Sequence, residues 1–119
     1  MFQPPTSFHK RHFRRIRRLM GVAGRKLQAR VEQAENRPCV GVPTEEFFPG
    51  ALETGLGRPE VLQQRLKVRG LCAGCPVQDE CLAGALQRGE RYGGWGGLAQ
   101  PDYRQLLRLW QAENAGEVA

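Results

Sequence analysis

Long hydrophobic runs are missing from this 119-residue chain: none approaches the roughly 18 apolar residues of a membrane span. Its opening, Met1-Phe2-Gln3-Pro4-Pro5-Thr6, leads into no apolar stretch with a small-residue cleavage site, so a secretory signal is not indicated. A cytoplasmic, reducing setting is the expectation. No segment reads convincingly as a β-strand. No acid–base pair or nucleotide-binding loop is present, which leaves little ground for an enzyme. Cysteine is confined to four positions, Cys39, Cys72, Cys75 and Cys81. In a reducing compartment, four thiols point to metal binding or redox chemistry before structural disulfides.

The length allows one small domain. From Cys39 onward only about 80 residues remain, a size at which a hydrophobic core alone is marginal and a metal or cluster would help. Charge is unevenly spread. Residues 1–38 hold ten Lys or Arg against Glu32 and Glu35, a net of +8, whereas residues 39–119 hold eight basic and ten acidic residues, a net of −2. A basic arm that meets a polyanion, attached to a near-neutral body, is the reading this asymmetry favours.

Helical periodicity begins near Lys10, where Phe13, Ile16, Met20, Ala23, Leu27 and Val31 recur at steps of three and four. Gly21 and Gly24 weaken that helix, and Arg37-Pro38 ends or interrupts it. Glycine and proline punctuate residues 40–59 as loop, with one turn of helix possible at Thr44-Glu45-Glu46-Phe47-Phe48. A second helix is predicted at about 60–70. A third has Pro76 in its first turn, carries Cys81 and stops near Gly89. A fourth opens at Pro101-Asp102 with Tyr103, Leu106, Leu107 and Trp110 as its apolar stripe. The expected architecture is small and all-α.

The cysteines are spaced C-x32-C-x2-C-x5-C. Cys72 and Cys75 flank a short turn and Cys81 follows on a helix, so these three can converge, while Cys39 must close a long loop to join them. Zinc accepts four thiolates but usually takes them from two close pairs, and here there is one. An iron–sulfur cluster tolerates uneven spacing because its irons spread the ligands over a larger volume. Free buried or redox-reactive cysteines are the third reading. Spacing alone leaves zinc and cluster level. His9 and His12, inside the basic segment, read as solvated or DNA-facing. For the negative charge of a cluster, the start of the helix near Pro76, the glycines around Trp95, and Lys67 or Arg69 are candidate partners.

Three pieces in order resemble the WhiB-like family of actinobacterial and actinophage transcription regulators: Cys39 followed by Phe47-Phe48-Pro49; Lys67 through Leu82, with its Cys72-Ala73-Gly74-Cys75-Pro76-Val77-Gln78-Asp79-Glu80-Cys81 core; and the tryptophan turn Gly93-Gly94-Trp95-Gly96-Gly97. The resemblance implies a small helical domain at residues 32–113 around one [4Fe–4S] cluster held by Cys39, Cys72, Cys75 and Cys81. It further implies docking, as a monomer, on region 4 of the primary sigma factor through Trp95, Gly96, Gly97, Phe47 and Phe48. Residues 1–31 would form a basic extension, partly helical or disordered, and 114–119 a short tail. Loss of the cluster would free thiols able to form disulfides. The alternatives are a four-cysteine zinc module that binds nucleic acid and, more weakly, a protein disulfide reductase in the cluster-free form.

Departures from the family pattern are visible. Gly94 stands where a β-branched residue is usual, Pro38 precedes Cys39, and no tryptophan lies upstream of it. After the turn only Arg104 and Arg108 remain as cations, beside Asp102, Glu113 and Glu117. DNA contact is therefore expected from Lys10, Arg11, Arg14, Arg15, Arg17 and Arg18 at the promoter. Other readings of that segment are a solvated extension, one left untranslated by a start at Met20, or a helix on an anionic membrane, the last disfavoured.

Overall fold

The structure is a computed structural model, and it describes residues 6–47 and 58–118. It is all-α, as expected. Five α-helices follow one another: α1 (Ser7–Ile16), α2 (Gly24–Gln33), α3 (Arg58–Leu71), α4 (Gln78–Arg88) and α5 (Asp102–Val118), with 3-10 turns at Arg17–Leu19 and Thr44–Phe47. Among the described residues there is no strand, only an isolated bridge in which Trp95 and Leu98 exchange backbone hydrogen bonds of 2.9 and 3.0 Å.

The long periodic segment folds as two helices around a corner, not as one. At the corner Val22 N–H donates to the Leu19 carbonyl at 3.0 Å. The Val22 carbonyl accepts from the Gln87 side-chain amide of α4, also at 3.0 Å, and Met20 O accepts from the same amide. Backbone groups released by the break thus find a partner on another helix. Helix α2 then crosses α4 closely, because a side chain at Gly84 would meet Leu27 Cβ at 3.3 Å. Helix α4 begins two residues after Pro76, with Val77 at its cap. It ends on Gly89, whose φ of 73° turns its N–H back toward the last carbonyls.

One core unites these helices. Leu82, Ala83, Ala85 and Leu86 of α4 meet Tyr103, Leu106, Leu107 and Trp110 of α5, and Phe13, Ile16, Leu19, Met20 and Leu27 complete the cluster. Ile16 and Leu27 retain no exposed surface, and burial of such side chains is worth about 1.5–3 kcal/mol each. The basic N-terminal segment is thereby held against α4 and α5 by its apolar face. A smaller cluster of Val68, Cys72 and Ala99, with Phe47 against it, lies beneath the cysteines.

Asp102, at the start of α5, is the polar junction of three helices. Its carboxylate accepts from His9 Nε2 at 2.9 Å and from Arg65 at 2.8 and 3.0 Å. His9 Nδ1 in turn accepts from the Thr6 backbone N–H at 3.0 Å, which assigns the proton to Nε2. The Arg65 guanidinium also lies over the Phe8 ring, 4.6 Å from its centroid. His9 is buried and structural, a correction to the expectation that it faces solvent or DNA; the buried carboxylate on α5, invisible as a partner in the sequence, is the reason.

Because Asp102 is 4% exposed while two donors converge on it, Asp102→Ala is expected to destabilise the fold by about 3 kcal/mol, read from urea unfolding midpoints. A loss below about 1 kcal/mol would show that the junction contributes little beyond packing.

Candidate metal centre

Each cysteine is placed by a different local device. Cys72 ends α3, its N–H donating to Val68 O at 3.1 Å. Cys75 N–H bonds back to Cys72 O at 3.1 Å across a turn that uses Gly74 at φ 77°. Cys81 lies in the first turn of α4, its N–H on Val77 O at 2.9 Å. Cys39 occupies a tight turn in which Val42 N–H reaches Cys39 O at 3.1 Å. All four side chains line one cavity of about 310 Å³, so the structure brings together the four residues the sequence singled out. They face a shared space and not a single point: among the described residues, no three His, Cys, Asp or Glu side chains are placed to hold one metal ion.

The tryptophan turn closes one side of the cavity. Gly97 N–H donates to the Cys72 sulfur and Gly96 N–H to that of Cys81. Burial pushes the Cys72 thiol up to about 11, the Gly97 hydrogen bond opposes this, and the other three sulfurs push it further up. Cys81 is raised for the same leading reason, with Gly96 and Arg88 opposing. Without a cation in the cavity these two thiols stay protonated at neutral pH; a bound metal would release their protons.

Glycine is required where the turn meets α4. At φ 53°, a Cβ on Gly96 would stand 2.5 Å from Gln78 O and 2.6 Å from Leu82 Cβ. The Gln78 side-chain amide fills the space a Gly97 side chain would take. Gly94 has a different explanation. A Cβ there would be 2.9 Å from Val68 Cγ1, so the β-branched group absent from the turn is replaced in space by a buried valine from α3.

Trp95 is half-buried. Its Nε1–H donates to Tyr92 O at 2.7 Å, Arg88 lies 5.8 Å from its ring centroid, and Tyr103 packs 6.5 Å away. The ring lines the cavity as well as the surface. Phe47 also lines it, packed on Val68, Cys72 and Ala99; Phe48 lies outside the described residues. Lys67 pairs with Glu46, Arg69 is exposed, and neither lines the cavity, whereas Arg37 and Gln78, not foreseen from sequence, both do.

The basic residues divide into two groups. Arg15 and Arg18 both reach Asp79 at 3.2 Å, beside the start of α4, and Arg17 pairs with Glu113 at 2.5 Å. Lys10, Arg11 and Arg14 are exposed on α1 without an ion pair among the described residues. His12 is held neutral near pH 7, its pKa lowered to about 4 by burial and then by Arg15 and Arg11.

Gly94→Val is expected to destabilise the protein by about 1–3 kcal/mol through overlap with Val68. Combining it with Val68→Ala should recover most of that loss in the same unfolding assay, and strict additivity of the two changes would refute the spatial replacement. In the metal-free protein, a thiol near pKa 11 is about one part in a thousand thiolate at pH 8. Iodoacetamide is therefore expected to label buried Cys72 more slowly than Cys75, followed by peptide mass mapping.

Comparison with known proteins gives the same frame. The family described as transcription factor WhiB matches residues 33–106. A redox-responsive transcriptional regulator, WhiB3 of Mycolicibacterium smegmatis, is 37% identical over 70 residues, covering 59% of this chain and 70% of its own. The transcriptional regulator WhiB2 of the same organism is 37% identical over 82 residues, 68% of this chain and 56% of its own, and WhiB2 of Mycobacterium tuberculosis is 39% identical over 70 residues, 59% of this chain and 67% of its own. The chain thus spans between about half and 70% of the length of these relatives. With the family match covering more than half of its residues, and with the four cysteines and the tryptophan turn inside that match, the chain belongs to the WhiB family of transcription factors.

Proposed function

We propose that this chain regulates transcription by holding one [4Fe–4S] cluster on Cys39, Cys72, Cys75 and Cys81 and presenting the tryptophan turn to region 4 of the primary sigma factor. The observation that carries the reading is the shared cavity: all four cysteines are among the residues lining a space of about 310 Å³, and two of them accept N–H groups from Gly96 and Gly97. Four thiols spread around a space of this kind suit a polynuclear group. They suit a tetrahedral zinc less, since zinc draws four sulfurs to about 2.3 Å from one centre. The glycine N–H donors suit a ligand set that carries net negative charge. Burial of Cys72 weighs against the reductase alternative, which needs a reactive thiolate there.

A cluster would supply a centre reactive toward oxidants and nitric oxide, and the redox-responsive relatives support such a role. The chain's own part is to fix the surface. Gly96 and Gly97 tie the turn to the sulfurs, Trp95 spans cavity and exterior, and Phe47 packs under Cys72. Val40 and Tyr92, 66% and 55% exposed, add apolar surface next to Cys39 and the turn. Aromatic anchors of this type dominate partner binding. On the other side of the molecule's charge balance, Lys10, Arg11 and Arg14 are the cations available to promoter phosphates, with Arg15, Arg17 and Arg18 committed in part to carboxylates. A cytoplasmic monomer bound to sigma is the form that fits; no helix among the described residues is long and apolar enough to cross a membrane.

Anaerobic purification is expected to give roughly four irons and four sulfides per chain, whereas stoichiometric zinc without iron would reject the cluster. Trp95→Ala should weaken sigma binding about 30-fold with iron retained, the signature of an anchor worth about 2 kcal/mol. Replacing Lys10, Arg11 and Arg14 with glutamine should reduce the slope of log affinity for DNA against log salt by roughly 2–3. Deleting residues 1–19 would be a poorer test, because Phe13, Ile16 and Leu19 belong to the core.

A further inference from the structure

We infer that Arg37 is the charge partner of the group held in the cysteine cavity and sets its redox balance; this rests on the cluster reading above. Among the described residues that line the cavity, Arg37 is the one with a cationic side chain. Its Nε is buried and has no hydrogen-bond acceptor among the described residues. A guanidinium N–H removed from water without an acceptor is costly, on the order of 1–3 kcal/mol, so a group in the cavity able to accept it would be favoured. Arg15 and Arg18 are engaged with Asp79 and Lys67 with Glu46, while Arg88, which acts on the Cys81 sulfur, lies 3.7 Å from Glu90 and is not among the described residues that line the cavity.

Arg37 is also well placed to stay there. Pro38 follows it, restricting its backbone, and its carbonyl accepts from Val40 N–H at 3.2 Å in the turn that carries Cys39. Arg37 and Cys39, both at the cavity wall, thus belong to the same turn. Four thiolates around a [4Fe–4S]2+ core carry a formal charge of about −2, and one-electron reduction makes it about −3. A fixed positive charge and N–H donor at the cavity wall favours the more negative state. Arg37 therefore raises the reduction potential and, by the same sign, makes the reduced form easier to keep under mild oxidants. It is a positioning and tuning residue and not a ligand.

The test compares the full-length parent with Arg37→Gln, Arg37→Lys and Arg69→Gln, each purified anaerobically. Iron content and the midpoint potential by spectroelectrochemistry are measured. Arg37→Gln is expected to lower the reduced-to-oxidised ratio about tenfold at fixed potential, equal to 59 mV for a one-electron couple. Arg37→Lys should retain most of the parent value, and Arg69→Gln, on an exposed residue outside the cavity, should not move it. If Arg37→Gln instead loses its iron while Arg37→Lys keeps it, the need for charge at this wall is equally shown; loss from both marks a packing role and overturns the inference. A fully loaded Arg37→Gln with an unmoved midpoint overturns it as well. A parent without iron overturns the cluster reading and this inference with it.

Discussion

The close approach of the tryptophan turn to the first turn of α4 is the constraint on which the site depends. Gly96 lies where any side chain would collide with Gln78 O and Leu82 Cβ. Only that proximity allows its N–H, and that of Gly97, to reach the sulfurs of Cys81 and Cys72. The same approach sets the Trp95 ring between cavity and solvent, with its indole N–H held by Tyr92 O. Cysteine cavity and tryptophan turn are thus joined through one piece of backbone.

A second layer of structure keeps α4 where the turn can find it. Helices α1 and α2 lie outside most of the family match yet supply core residues against α4 and α5. Gln87 ties the α1–α2 corner to α4, and Arg15 and Arg18 bind Asp79 two residues before Cys81. Asp102 then links α1, α3 and α5 through His9 and Arg65. The basic segment has two faces with separate uses: an apolar and partly ion-paired face that braces the centre, and an exposed face with Lys10, Arg11 and Arg14.

Much of this was readable in the residue pattern. The helix over 60–70, the helix stopped at Gly89, and the stripe Tyr103, Leu106, Leu107 and Trp110 all stand where periodicity and punctuation put them. So does the turn of helix at Thr44. Local signals sufficed there because each is a short-range preference of the backbone or a repeating apolar face. The corner at residues 20–23 was foreshadowed by Gly21 and Gly24, but its stabilising partner, Gln87, is remote in sequence. The absence of a β-branched residue at position 94 is visible in the sequence, but the Val68 side chain that occupies its space comes from another helix.

By itself, the sequence determined the helical class, the net positive charge of the first 38 residues, and the four cysteines with their spacing, because composition and spacing are one-dimensional properties. Tertiary structure alone decided that Cys39 shares a cavity with the other three, that Arg37 stands at its wall, and that Arg15, Arg17 and Arg18, three of the six Lys and Arg residues from Lys10 to Arg18, are paired with carboxylates. Those outcomes depend on which surfaces meet across gaps of tens of residues. Hydrophobic burial and the absence of a Cβ at Gly96 choose that meeting, and no local pattern encodes it.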